Sequence, residues 1–212
     1  MKTKILDFIA GVAMVLTVAI VLIYGTHKSG INRFNLTPEQ TNSIVRFGDT
    51  EVEWCTAFII SKHYAMTALH CIKVHPTLGL IPKGYVLDKK IVARVTRIDP
   101  QSDVALLFGD FSSYTPLKVK NFGINVNDLP TKAISCGYPK MRPSLGCTEV
   151  TDIVGESFFF VGNGRMFGGM SGGPTFDANT MEVVGINHGV SANKVAIGDI
   201  NSLTETWKEI FE

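Results

Sequence analysis

The sequence predicts an all-β protein, a barrel or sandwich of short strands, with one apolar N-terminal span before it and a helix closing the chain. Two observations carry the fold class. From Ser43 onward, short runs rich in β-branched and aromatic residues alternate with Gly, Pro, Asn and Asp breaks. Charged residues make up only 18% of the chain, beside 20 Gly and 9 Pro, which suits a turn-rich β protein better than a helical one. A third observation, the length of 212 residues, bounds the chain to one or two domains. Net charge is +1, so no field favours nucleic acid or an acidic partner. The chain has no internal repeat and no low-complexity segment.

Mean hydropathy is +0.20, but the first segment inflates it. Lys2 and Lys4 precede Phe8–Tyr24, 17 residues without a charge. Ile5 and Leu6 lengthen that run at the cost of including Asp7. The run sits at the low end of what spans a bilayer as a helix. It exceeds the apolar core of an ordinary signal peptide, and no clean small-x-small cleavage site follows. Residues 1–24 therefore read as an uncleaved membrane anchor; a removed signal peptide and a buried soluble helix are the alternatives. Lys28 and Arg33 on the far side nearly balance Lys2 and Lys4, so charge bias leaves orientation open. Residues 25–42 are polar, with Gly, Ser, Asn and Thr-Pro, and read as a tether. Residues 43–212 are then a domain able to bury one substantial core, or two small barrels sharing one.

Within that domain the expected strands are Ile44–Phe47, Trp54–Ile60, His63–Ala68, Val86–Leu87, Ile91–Ile98 and Val104–Phe108 in the first half. Lys132–Cys136, Thr148–Val154, Ser157–Val161, Thr175–Phe176, Val183–Ile186 and Lys194–Ile197 follow in the second. A helix over 202–211 ends the chain. Ser202 is its N-cap and Glu205 the capping-box partner, with Leu203, Trp207, Ile210 and Phe211 on one face. It reads as a cover for the β structure rather than a partner-binding helix.

The stretch most suggestive of chemistry is Gly168-Gly169-Met170-Ser171-Gly172-Gly173-Pro174. A serine on a glycine-rich turn exposes its hydroxyl beside its own N–H, and the Gly169 N–H can point the same way. A nucleophile with two convergent donors for an oxyanion is what acyl transfer needs. A plain hairpin turn and a phosphate-cradling loop are the bland readings; no Gly-Lys-Ser/Thr segment supports the latter. The stretch resembles the Gly-Asp-Ser-Gly-Gly-Pro nucleophile loop of the trypsin-like (chymotrypsin-fold) serine peptidases, with Met170 where that family has Asp.

Such a serine needs a base. Of His27, His63, His70, His75 and His188, context selects His70. Met66-Thr67-Ala68-Leu69-His70-Cys71 is similar to the family's Thr-Ala-Ala-His-Cys segment. Ser102-Asp103-Val104-Ala105-Leu106-Leu107 resembles its Asp-Ile-Ala-Leu-Leu segment. An aspartate entering an apolar strand is costly unless paired, and His70 would pair with it. Asp99, the nearest competitor, precedes Pro100 and reads as a turn residue. The order His70, Asp103, Ser171 is that of the chymotrypsin arrangement. With Gly137-Tyr138-Pro139, which looks like the start of the second barrel in small bacterial members, the resemblance points to a small bacterial or phage type.

The resemblance implies two six-stranded antiparallel β-barrels, about 43–116 and about 117–200, and a serine endopeptidase working through an acyl-enzyme. It implies an oxyanion hole from the Gly169 and Ser171 N–H groups, and no cofactor. It also implies a Cys55–Cys71 disulfide. Cys136 and Cys147, 11 residues apart, are read locally as a hairpin staple. With no Cys-x-x-Cys spacing, no metal is expected. Two bridges would place the domain in an oxidising compartment, outside the cytoplasmic membrane, with the N-terminus inside. Arg165, six residues before the serine, corresponds to a pocket floor, where it would disfavour basic side chains; pointing to solvent is the alternative. Asn187, His188 and Gly189 are expected along the substrate strand, with a surface role the alternative for His188. The expected partners are a protein or peptide substrate and, through the N-terminal helix, the membrane. The rival function is an inactive peptidase-fold binding module.

Overall fold

The computed structural model describes residues 34–48, 54–72, 84–86, 91–120, 129–142, 144–156, 158–191 and 193–200. The expected anchor, residues 25–33 of the tether, His27, His75 and the helix over 202–211 lie outside the described residues. Among the described residues, no helix is long and apolar enough to cross a membrane. The chain divides into the units Met1–Asn35 and Leu36–Glu212. All elements below belong to the second.

That unit begins earlier than the sequence reading placed it. Residues 36–42, expected as tether, hold a short helix α1 (Pro38–Asn42) behind a buried Leu36. The local cause is a capping box. The Thr37 hydroxyl accepts the Gln40 N–H at 3.2 Å, and the Gln40 side chain accepts the Thr37 N–H at 2.9 Å. Pro38 at the first helical position has no N–H to leave unpaired.

Two closed six-stranded barrels follow. The first comprises β1 (Ile44–Gly48), β2 (Trp54–Ile59), β3 (Tyr64–Ala68), β4 (Gly84–Val86), β5 (Ile91–Asp99) and β6 (Val104–Phe108). Around the barrel they run β1-β2-β3-β6-β5-β4. The second comprises β7 (Lys132–Gly137), β8 (Gly146–Glu156), β9 (Phe159–Asn163), β10 (Pro174–Asp177), β11 (Val183–Ser191) and β12 (Lys194–Asp199), in the order β10-β11-β12-β9-β8-β7. The ladders between these strands are antiparallel. Among the described strands, closure leaves no unpaired sheet edge. It also decides between barrel and sandwich, which periodicity could not do.

Each barrel has its own core. Val45, Phe47, Ala57, Ile59, Ala65 and Leu107 fill the first. Val150, Phe160, Val195, Ile197 and Met170 fill the second. Fully burying a side chain of this size contributes roughly 1.5–3 kcal/mol. Both disulfides are present. Cys55–Cys71 ties β2 to the turn after β3, and Cys136–Cys147 joins directly opposed residues of β7 and β8 with Cα atoms 4.1 Å apart.

Candidate active site

At the end of β3 the chain makes one 3₁₀ turn, Leu69–Cys71, which carries His70. Asp103 stands just before β6 in left-handed backbone, φ 55°. The turn and Asp103 are joined three times, twice through His70. The Leu69 N–H donates to the Asp103 carbonyl at 2.8 Å. The His70 N–H donates to Asp103 Oδ1 at 2.8 Å, and His70 Nδ1 lies 2.5 Å from Oδ2. A carboxylate only accepts, so Nδ1 carries the proton, and the neutral ring keeps its lone pair on Nε2. Burial pushes the Asp103 carboxyl up, but the bonds from His188 and His70, the charge of His70 and its N–H outweigh that and hold it down at about 2. Asp99, the competitor, caps its own turn, its Oδ1 accepting the Gln101 N–H at 2.9 Å.

Ser171 sits beside this pair. The Thr56 N–H donates to its carbonyl at 2.8 Å, and Cys71 Sγ lies 3.8 Å from the same oxygen. Among the described residues, the Ser171 hydroxyl makes no hydrogen bond to His70. The loop is a tight one. Gly169 has φ +97° and Gly172 φ +80°. A Cβ on Gly169 would fall 2.4 Å from the Tyr138 carbonyl, and on Gly172 2.2 Å from both the Thr56 carbonyl and Thr67 Oγ1. Only glycine fits either position.

The orientation of the two candidate oxyanion donors follows from where their peptide carbonyls are held. A trans peptide directs its N–H opposite to its C=O. The Gly168 carbonyl accepts the Lys140 N–H at 2.7 Å, which turns the Gly169 N–H the other way. The Met170 carbonyl accepts the Gly173 N–H at 3.0 Å and Asn187 Nδ2 at 3.1 Å, which turns the Ser171 N–H away from that interior. Among the described residues, neither N–H has an acceptor. Thr56 of the first barrel reinforces the loop, its Oγ1 donating to the Gly169 carbonyl at 2.7 Å and accepting the Tyr138 N–H at 2.9 Å.

The residues expected to bind substrate divide. Asn187 is a correction: it is fully buried and its amide is spent inside the protein. Nδ2 donates to the Cys136 carbonyl at 2.7 Å as well as to Met170, and Oδ1 accepts the Thr175 hydroxyl at 2.7 Å. A buried amide must satisfy its own groups, and these bonds leave it none for a ligand. Arg165 is exposed, and no described residue pairs with it. With no buried acid to pair with, a guanidinium stays hydrated. Gly189 is half-buried, and a Cβ there would meet nothing within 4 Å, so the space before it is open. His188 meets Asp103, with Nδ1 2.5 Å from Oδ2.

Thr56 and the His188–Asp103 contact are what sequence reasoning missed. Thr56 is one of many threonines, and nothing local marks it. The His188 contact depends on strand register. His70, Asp103 and His188 present three ligating atoms together. Each ring nitrogen stands at hydrogen-bond distance from Asp103 Oδ2; two donors on a tetrahedral metal at 2.0–2.1 Å would stand roughly 3.3 Å apart.

Two closed six-stranded barrels, one carrying a bonded His–Asp pair and the other a serine on a glycine turn, define a double-barrel architecture. The profile of the trypsin-like peptidase domain matches residues 55–186, more than half of the chain. The chain belongs to the trypsin-like serine peptidase family. Among solved structures it is similar to the active form of the Rv3671c protease from M. tuberculosis: 20% identity, TM-score 0.62, with 81% of this chain and 82% of that one covered. The serine endoprotease from Yersinia pestis gives 16% identity and TM-score 0.62 over 81% of this chain and 64% of that one. The HtrA-type protease AlgW gives 15% and 0.61 over 81% and 65%. At these identities the likeness concerns the fold. No curated protein matches the chain in sequence.

Proposed function

We propose that the chain is a membrane-anchored serine endopeptidase that hydrolyses peptide bonds through Ser171, His70 and Asp103. The single observation that carries this is the doubly bonded His70–Asp103 pair, which leaves Nε2 as the free base on the turn beside Ser171. In this reading His70 takes the Ser171 proton as the hydroxyl attacks the substrate carbonyl. The Gly169 and Ser171 N–H groups receive the oxyanion. His70 then returns the proton to the leaving amine, and water hydrolyses the acyl-enzyme by the same steps. The Ser171–His70 bond forms when substrate closes the site, since such bonds are commonly loose without substrate.

The apolar run 8–24 holds the enzyme in the cytoplasmic membrane with its N-terminus inside, and two disulfides support an oxidising compartment for the domain. Purified full-length chain should cleave peptides, and Ser171→Ala should abolish cleavage; equal turnover by the two would refute the reading. Removing residues 1–24 should release the protein from the membrane fraction, and retention there would refute the anchor.

A further inference from the structure

The second imidazole on Asp103 is not needed by the mechanism above. His188 lies in β11, where Asn187 pairs with Ile197 and Gly189 with Ala196 of β12, so His188 is the extra residue of a β-bulge. A bulge re-aims a side chain, and bulges gather next to active sites. Here the ring is turned onto the triad acid and backed by Phe159 of β9, with ring centroids 4.8 Å apart. His188 Nδ1 reaches the same oxygen, Oδ2, that His70 Nδ1 takes, each at 2.5 Å. The two imidazoles stand edge to face with centroids 5.6 Å apart.

We propose that His188 is a positioning residue: it holds Asp103 from the second barrel, and its own protonation governs how readily His70 accepts a proton. This rests on the serine-peptidase reading of the site. Three donors then fix one carboxylate, the His70 N–H on Oδ1 and two imidazoles on Oδ2. Because a carboxylate only accepts, both rings carry their proton on Nδ1 when neutral, and both expose a lone pair on Nε2. The His188 side chain is 37% exposed, so it exchanges protons with solvent. Among the described residues, the titratable groups shown in contact with it are Asp103 and His70. Protonating both rings sets two positive charges side by side against one shared anion, so the two sites are coupled. The acid limb of kcat/KM therefore spreads over two steps.

Two variants and one measurement without turnover test this. In full-length enzyme, His188→Gln keeps a donor toward Asp103 but cannot titrate. It should reduce the acid limb to one proton and move it to higher pH by on the order of one unit, because no second positive ring can then stand beside His70 and oppose its protonation. His188→Phe should show the same acid limb with a plateau kcat about tenfold lower, consistent with loss of a bond to a charged group, and Gln should restore most of that loss. Acid limbs of both variants superposing on that of the wild type would overturn the proposal. In Ser171→Ala protein, histidine NMR should show two downfield Nδ1–H protons and two coupled titrations, with one of each after His188→Gln. One such proton before that substitution would also overturn it. Two such protons in a chain that hydrolyses no peptide would instead refute the peptidase reading and leave the His188 contact standing.

Discussion

Asp103 concentrates much of the chemistry of this site in one carboxyl group. Held at about 2, it favours its charged form in the folded protein more than in the unfolded chain. The folded value is the lower one, so this contribution is fully present above the ordinary carboxylate range and is lost as pH falls through about 2. It amounts to about 2 kcal/mol. Urea midpoints of wild type and Asp103→Asn should differ most at pH 5 and above, and converge as pH drops from 4 toward 2. A difference independent of pH would show that the charge contributes nothing. Asn187 makes a second prediction at this scale. Its truncation to Ala removes three buried bonds, to the Met170 and Cys136 carbonyls and the Thr175 hydroxyl, while Met170 keeps the Gly173 N–H and Thr175 keeps Ser135. At about 1 kcal/mol for each bond lost, the loss should be about 3 kcal/mol. Because the same amide aims the Ser171 N–H, kcat should fall by about 10²–10³, as for a lost oxyanion donor. A stability loss with kcat unchanged would assign Asn187 to structure only.

The elements that hold these residues were legible to different degrees. The first barrel's strands were visible because alternating apolar residues and turn signals agree. His70 was picked out by the resemblance of its segment to the family's, and Asp103 also because an aspartate entering an apolar strand needs a partner. β11 was read to Ile186 from local composition and to Gly189 only through the family resemblance, yet it extends to Ser191. Asn-His-Gly is a poor strand former by itself, and β12 supplies the pairing that local propensity does not. The bulge at His188 is set by that pairing, so no pattern within β11 could announce it. α1 did have a local signal in Thr37-Pro38-Glu39-Gln40, outweighed by the polar composition around it. The nucleophile loop gives the prediction at this scale. Gly169→Ala should displace the turn and cut kcat by at least about 10². Gly168→Ala, whose Cβ would meet only Lys140 Cδ at 3.9 Å, should leave activity near wild type. Equal activity of the two variants would contradict the loop geometry.

Across the whole molecule the two barrels divide the work. The first carries His70 and Asp103; the second carries Ser171, the candidate oxyanion donors and His188. Thr56 ties the two together through the nucleophile loop. Met170 bears on how this assembly becomes active. In many trypsin-like enzymes that position is an aspartate that receives a newly freed amino terminus. Here Met170 is 1% exposed and packs in the second core, while its carbonyl is bound by Asn187. The loop is thus held by packing and amide bonds, and the enzyme should be competent as synthesised. Full-length chain with an N-terminal extension should hydrolyse peptides without delay; activity appearing only after trimming to one defined terminus would refute this. The central claim is that Ser171 is a nucleophile activated by His70. Reaction with a fluorophosphonate, followed by mass spectrometry of the labelled peptide, tests it most directly. The account predicts one adduct, on Ser171, absent from Ser171→Ala and slowed by orders of magnitude in His70→Ala. No adduct on the folded wild-type chain, or an adduct unaffected by loss of His70, would contradict it.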